Sequence, residues 1–307
     1  MSLYLLYVWS PFSDSSEYQH FFYFVLKGTV RLLFQPAEEG GAGALHMIKE
    51  GALEGVGAIF GMHVDYQLPT GSISSYPGPT NAAVCFFEAK IEGKSGNAAS
   101  PHLNVDSVVA TSFAILAMQQ LISREDDPHH SQVLSVTYVK GGESHDTTPP
   151  FVEFGGTLRS LTTDGLYRLQ RRVKEVIEGQ ALVHMCKAFI SMKDEEYPAY
   201  PAVENDERLH QHVQKIGSLM LGPDNVKMGK KIMAGEDFAF YQQLIPGVIF
   251  GIGMANEKLG AVHSAHSPYF FIDEKVLPIG AALHSAIAEA YLDERRKFEG
   301  QCGPVLS

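Results

Sequence analysis

TVRLLFQPAEEGGAGALHMIKEGALEGVGAIFGMHV, residues 29–64, is the stretch on which the fold turns. Its opening run, Thr29 to Phe34, is apolar and partly β-branched, which predicts a buried strand. Gln35-Pro36-Ala37 stops that strand and puts two adjacent carboxylates, Glu38 and Glu39, on the turn beyond it. Gly40, Gly41 and Gly43 lead into a short helix with Leu45, Ile48 and Leu53 as its apolar side. A second apolar strand, Ala58 to Gly61, delivers His63 just past its own end. Strand, helix and strand with polar groups at both strand ends is how an open α/β sheet builds a site along one edge. Carboxylate and imidazole both ligate a borderline divalent metal, and an unligated carboxylate serves as a general base. The competing reading of the same residues is a solvated turn at Glu38 and Glu39 and a strand cap at His63.

Working outward, 307 residues suffice for two domains of ordinary size. A hydrophobic content of 45% and a charged content of 19% are globular values. The net charge of −11, with no basic stripe, disfavours nucleic acid or an anionic membrane as partner. Cys85, Cys186 and Cys302 form no CxxC pair, and the first two sit in apolar strand patterns as inert buried thiols. The opening run Met1 to Trp9 is apolar but has no basic flank, no cleavage site follows, and it is too short to span a bilayer. It does not read as a secretory signal. Residues 1–26 and 297–307 are left as unassigned flanks.

Beyond His63, residues 82–197 carry a rhythm of their own. Ala82 to Ile91 reads as a strand, Val105 to Ile122 as a helix, and Val133 to Val139 and Phe151 to Leu158 as strands. Asp164 to Glu178 is a helix with Leu166, Leu169, Val173 and Ile177 on one face, and Ala181 to Met192 closes the set as a strand. That order, β-α-β-β-α-β, is the ferredoxin-like unit. From residue 198 to 296 the α/β pattern resumes. Glu204 to Leu221 is helical, Lys231 to Met233 is a candidate short strand, and Gly235-Glu-Asp-Phe opens a helix at an acidic first turn. Val248 to Ile252 is a strand, a polar loop carries His263 and His266, and Glu274 to Arg296 is the last helix. The fold class is therefore α/β, with residues 27–81 and 198–296 as two parts of one domain around an inserted α+β module. Glu38, Glu39 and His63 before the insertion, and His266 after it, would converge at the strand ends of that domain. With 13 histidines in the chain, His263 and His266 alone prove little.

Five of these motifs coincide with a known family. Gln35-Pro-Ala-Glu-Glu-Gly40, Gly61-Met-His-Val64, Gly155-Gly-Thr-Leu-Arg159, Gly235-Glu-Asp-Phe238 and His266-Ser-Pro-Tyr-Phe270 resemble the amidohydrolase branch of the two-metal aminoacylase/carboxypeptidase-type peptidases. Within it, the plant auxin–amino acid conjugate hydrolases look most similar. The resemblance implies a two-metal catalytic domain with a ferredoxin-like lid inserted, and Glu39, His63 and His266 as metal ligands. It implies Glu38 as general base and acid, Arg159 as the holder of the substrate carboxylate, and a divalent metal, manganese first, then zinc or magnesium. The implied substrate is a small acyl-amino-acid such as an indole-3-acetyl conjugate. Pairing of two copies through the lid and residence in the endoplasmic reticulum lumen are also implied, although no signal peptide or retrieval motif is evident here.

Three departures shape the expectations. Family members carry a Cys-Gly-His-Asp-Ala-His segment upstream that supplies two further ligands, and this chain has none, so its catalytic domain reads as N-terminally truncated. Asn97 stands where the family has a substrate-contacting histidine, and Asp146 where it has an asparagine. Both are expected to weaken substrate binding, Asp146 by repelling the substrate anion beside Arg159. The alternative to the family activity is a catalytically impaired relative that keeps only lid and ligand-binding or pairing surfaces.

Overall fold

The computed structural model describes residues 2–6, 28–127 and 129–301, with side chains from residue 28 to 295. The aromatic run Phe21 to Leu26 and Cys302 lie outside the described residues. The chain begins with β1 (Ser2–Leu6) and β2 (Thr29–Leu33), then α1 (Gly43–Lys49), β3 (Val56–Pro69), β4 (Ile73–Ser75) and β5 (Gly78–Asn81). The inserted module follows: β6 (Ala83–Glu92), β7 (Gly96–Asn97), α2 (Ser107–Gln120), β8 (Gln132–Lys140), β9 (Thr147–Thr148), β10 (Phe151–Ser160), α3 (Thr163–Val183) and β11 (Lys187–Ser191). The return half holds β12 (Val203–Asn205), α4 (Glu207–Leu221), β13 (Val226–Met228), α5 (Ala239–Gln242), β14 (Gly247–Ala255) and α6 (Val276–Gln301).

The six-stranded sheet of the domain that flanks the insertion is ordered β13-β4-β14-β3-β1-β2. Its centre, β3 beside β14, is parallel and buried on both faces, so both strands read as nearly continuous apolar runs. One face is covered by α4 and α6, whose Leu209, Val213, Leu283 and Ile287 pack on Phe60, Val248 and Phe250. The other is covered by α1 and α5, where Ala44, Phe238 and Tyr241 meet Leu33 and Ile59. The first strand, Ser2–Leu6, runs parallel between β2 and β3, so part of the flank left unassigned by sequence belongs to this sheet. The lid sheet is ordered β11-β6-β10-β8 and antiparallel throughout, which is the ferredoxin-like arrangement. α2 and α3 cover one face of it. Asp106 caps α2 by accepting from Val108 N and Val109 N, and Thr162 caps α3 by accepting from Gly165 N.

Several boundaries differ from expectation; the helix expected from Glu204 starts only at Glu207, because Val203–Asn205 pairs with β5 as a strand. β3 does not stop at Gly61 but runs to Pro69, because β14 pairs along it as far as Ala255, and His63 is thus mid-strand opposite Gly251. α3 continues to Val183 because Ala181 extends the buried Leu166, Leu169, Val173, Ile177 face, and the following strand starts only at Lys187. Lys231 to Met233 holds a single bridge, Ile232 to Asn81, and the short strand is Val226–Met228 instead. The helix expected from Gly235 is confined to Ala239–Gln242, since Asp237 before it is used in tertiary contacts to Gln35 and Ala44.

Candidate active site

β2 ends in a turn whose backbone is forced. Ala37 (φ 58°), Gly40 (φ 85°) and Ala42 (φ 49°) are all left-handed, and two of the three carry a Cβ. A non-glycine residue in that region costs about 1–2 kcal/mol, so the surroundings must over-determine it. Gly43 follows with no space for a side chain: a Cβ there would lie 1.7 Å from Pro36 O.

Two groups from distant sequence hold this turn. Asp237, fully buried, accepts from Gln35 Nε2 at 2.7 and 2.8 Å and from Ala44 N at 3.0 Å, tying both ends of the segment together. Tyr200 donates its hydroxyl proton to Glu38 O at 2.9 Å and accepts from Ala42 N at 3.1 Å. Among the described residues these clamps are what sequence reading missed. The one available signal was two adjacent acids, Glu236 and Asp237, placed directly before an apolar run.

The result is a nest of carboxylates. Glu38 is half-buried, and its pKa is raised first by burial, then by the charges of Asp237 and Glu39, with His266 opposing. Glu236, buried, is pushed up to about 8 by burial and by the charges of Glu38 and Asp237. Asp237 is raised by burial and held back by the donors from Ala44 and Gln35. Burial and neighbouring charge thus shift all three carboxyls toward the protonated form, the direction that general acid–base work uses.

Of the candidate metal ligands, Glu39 and His266 meet across the whole chain, the imidazole Nε2 lying 3.0 Å from Glu39 Oε1. His63 is exposed on β3, and its Nδ1–H donates to Val64 O at 2.8 Å, leaving Nε2 as the acceptor nitrogen. Among the described residues no three His, Cys, Asp or Glu side chains cluster as a metal-holding group. A catalytic zinc-type ion takes about three protein ligands. The described donors therefore do not make a complete site for the implied metal; of the expected ligands, only Glu39 and His266 are in contact.

The lid candidates separate into two places. Asn97 and Asp146 come together at one end: Asn97 pairs with Thr147, and Ala98 N donates to Asp146 O at 2.8 Å. Their side chains serve local turns, Asn97 Oδ1 accepting from Ala99 N and Asp146 Oδ1 from Ser144 Oγ and Thr147 Oγ1, which also lowers the Asp146 pKa. Arg159 sits at the other end, where Nη1 donates to Met233 O at 2.6 Å. Phe151 pairs with Glu92 and Arg159 with Val84, so the two ends of β10 are roughly 27 Å apart at the ordinary strand rise. Asp146 thus does not lie beside Arg159 within one chain, contrary to expectation.

The chain is 45% identical to IAA-amino acid hydrolase ILR1-like 4 of Arabidopsis thaliana over 269 residues, which are 88% of this chain and 61% of that protein. It is 42% identical to IAA-amino acid hydrolase ILR1-like 6 of the same plant, over 88% of this chain and 57% of that one. The chain therefore spans about three-fifths of the length of these relatives. Among solved structures it superposes on the Bacillus subtilis YXEP protein, a dinuclear metal-binding peptidase, with a TM-score of 0.72 at 31% identity, covering 87% of this chain and 66% of that one. The family model for peptidase family M20/M25/M40 matches residues 22–290, so the chain belongs to that family.

Proposed function

We propose that this chain forms part of an amidohydrolase active site that cleaves the C–N bond of an N-acyl amino acid, with indole-3-acetyl amino acids as the substrate class. The observation that carries the reading is Glu38: a half-buried carboxyl of raised pKa on a clamped turn, beside the Glu39–His266 pair. The substrate class is taken from the two Arabidopsis relatives, whose names describe hydrolysis of such conjugates. In this reading Glu38 accepts a proton from the attacking water as its oxygen adds to the amide carbonyl carbon. It then passes that proton to the amide nitrogen as the C–N bond breaks, so the free acid and the free amine leave. Arg159 holds the substrate carboxylate through the donors its Met233 contact leaves over. Asn97 and Asp146 are assigned to substrate binding on family pattern alone.

A divalent cation belongs to the proposal, manganese before zinc or magnesium, with Glu39, His63 and His266 as ligands. Pairing of two copies through the lid is also proposed. It is supported by β8 as a sheet edge and by exposed Val109, Phe113 and Leu116 on α2. Residence in the endoplasmic reticulum lumen is proposed from the family alone. No helix among the described residues is long and apolar enough to cross a membrane.

The test is release of free acid from indole-3-acetyl-alanine by the purified chain with added manganese, repeated after chelation and with Glu38→Gln. Turnover lost in both controls supports the reading; turnover untouched by Glu38→Gln overturns it. The second reading is a relative that binds the conjugate without cleaving it, in line with the lack of a three-ligand group among the described residues. Saturable binding with no turnover would establish that one.

A further inference from the structure

We propose that Tyr200 is a positioning residue: from the segment by which the chain leaves the lid, its hydroxyl sets the shape of the turn that carries Glu38 and Glu39. The proposal rests on the amidohydrolase reading only where it concerns turnover.

The backbone of Tyr200 is fixed first. Val84 N donates to Tyr200 O at 3.0 Å and Tyr200 N donates back to Val84 O at 2.9 Å, so an isolated antiparallel bridge ties the segment leaving the lid to the start of β6 at this residue. Val84 is in turn the register partner of Arg159, whose guanidinium grips Met233 O. The ring is held edge-on against Phe240, centroids 5.6 Å apart, and the residue is 9% exposed. A buried phenol placed this way has a hydroxyl with little choice of position.

That hydroxyl spends its one proton on Glu38 O and accepts the N–H of Ala42. The two main-chain groups bracket Glu39, Gly40 and Gly41, the part of the turn flanked by the left-handed Ala37 and Ala42. Phenylalanine would keep the ring and lose both bonds, leaving a buried N–H without a partner and a disfavoured backbone with one clamp fewer. Because the clamp is anchored at the lid junction, a shift of that junction reaches the Glu38 carboxyl through this hydroxyl. Asp237 holds the same segment from the catalytic domain at Gln35 and Ala44, and so provides an internal control.

The experiment is amide exchange by NMR on the full chain, comparing the unmodified protein with Tyr200→Phe. Ala42 N–H should exchange about ten-fold faster, with Ala44 N–H and the lid amides unchanged. Pro201→Gly, which frees the junction backbone, should raise exchange at Ala42 alone and add nothing in the Tyr200→Phe background. A second readout is turnover of indole-3-acetyl-alanine, where kcat should fall about ten-fold with KM held, while the melting temperature drops only modestly for the lost buried hydrogen bonds. Unchanged exchange at Ala42 overturns the proposal, and so does an additive effect of the two substitutions. An unmodified chain that does not hydrolyse the conjugate overturns the amidohydrolase reading instead, and exchange at Ala42 still decides the role of Tyr200.

Discussion

The lid draws its core almost wholly from one run of chain, Ala83 to Met192, joined by Ala202 of the exit segment, whereas the six-stranded sheet sets strands from before that run beside strands from after it. In the lid, Phe87, Ile91, Leu158, Leu166 and Ile177 bury apolar surface against one another, and its charged residues stay outside. In the catalytic domain the same kind of apolar packing surrounds Glu236 and Asp237, two acids shut away from water. Apart from its backbone ladder and helix caps, the lid is thus held chiefly by burial, which is non-directional. The catalytic domain depends in addition on polar contacts that must each be met, because a buried polar group without a partner is costly. The two regions should therefore fail for different reasons.

The strongest way to break the comparison is to remove bulk from the lid core. Phe154 is fully buried and meets Phe87 edge-on at 6.4 Å. Phe154→Ala should destabilise the lid by about 3–5 kcal/mol, the usual cost of an aromatic deleted from a core. Denaturant unfolding followed by limited proteolysis should show cleavage inside residues 83–191 first. Loss confined to the catalytic domain would mean the lid does not stand on its own packing.

The matching change in the catalytic domain is polar. Asp237→Ala leaves Gln35 Nε2 and Ala44 N without their acceptor, and each orphaned buried group costs about 1–3 kcal/mol. Here proteolysis should leave a fragment of the lid's span, residues 82–195, with the catalytic domain degraded. A chain that stays uniformly resistant would show that these contacts contribute little.

Titration sharpens the contrast further. The folded-state pKa of Glu236 is raised to about 8, above the 4.5 of an ordinary glutamate. The folded state therefore binds the proton more tightly than the unfolded state does. Stability is fully present below pH 4.5 and declines as pH rises toward 8, by roughly 1.4 kcal/mol per pH unit within that window. Chemical denaturation at pH 6 and pH 7.5 should differ by about 2 kcal/mol on this account. Glu236→Gln should flatten the profile; an unchanged slope would remove Glu236 as its source.

The same division decided how much could be read from the sequence. The lid was legible because burial writes itself as periodicity: Leu166, Leu169, Val173 and Ile177 spell the α3 face, and alternation along Val133 to Val139 spells β8. Glu38, Glu39 and His266 were legible as chemistry, and the structure brings the last two into contact. The clamps were not. Nothing local distinguishes Asp237 from a helix-opening acid or Tyr200 from a proline-flanked surface tyrosine, since their partners lie between 158 and 202 residues away. His63 was placed at a strand end because its own segment turns polar there, but strand length is set by the neighbour, and β14 carries the pairing on. The separation of Asp146 from Arg159 is likewise a property of the sheet, invisible until β10 is seen as one extended strand.

The smallest expected effect tests the other half of the comparison, that charge on the lid surface carries little. Arg172 on α3 is the best-connected cation there: Nε and Nη2 donate to Glu125 at 2.9 and 3.1 Å, and Nη1 reaches Glu175. These partners raise the arginine pKa and lower that of Glu125, so the charges do attract. Yet all three side chains stand in water, where screening and the entropy of long side chains offset most of that attraction. Asp237 makes three hydrogen bonds as well, but it makes them where water cannot substitute. Arg172→Ala should accordingly leave the melting temperature unchanged within error, at low salt and high salt alike. A clear drop at low salt, abolished by high salt, would show that the lid too leans on directional contacts.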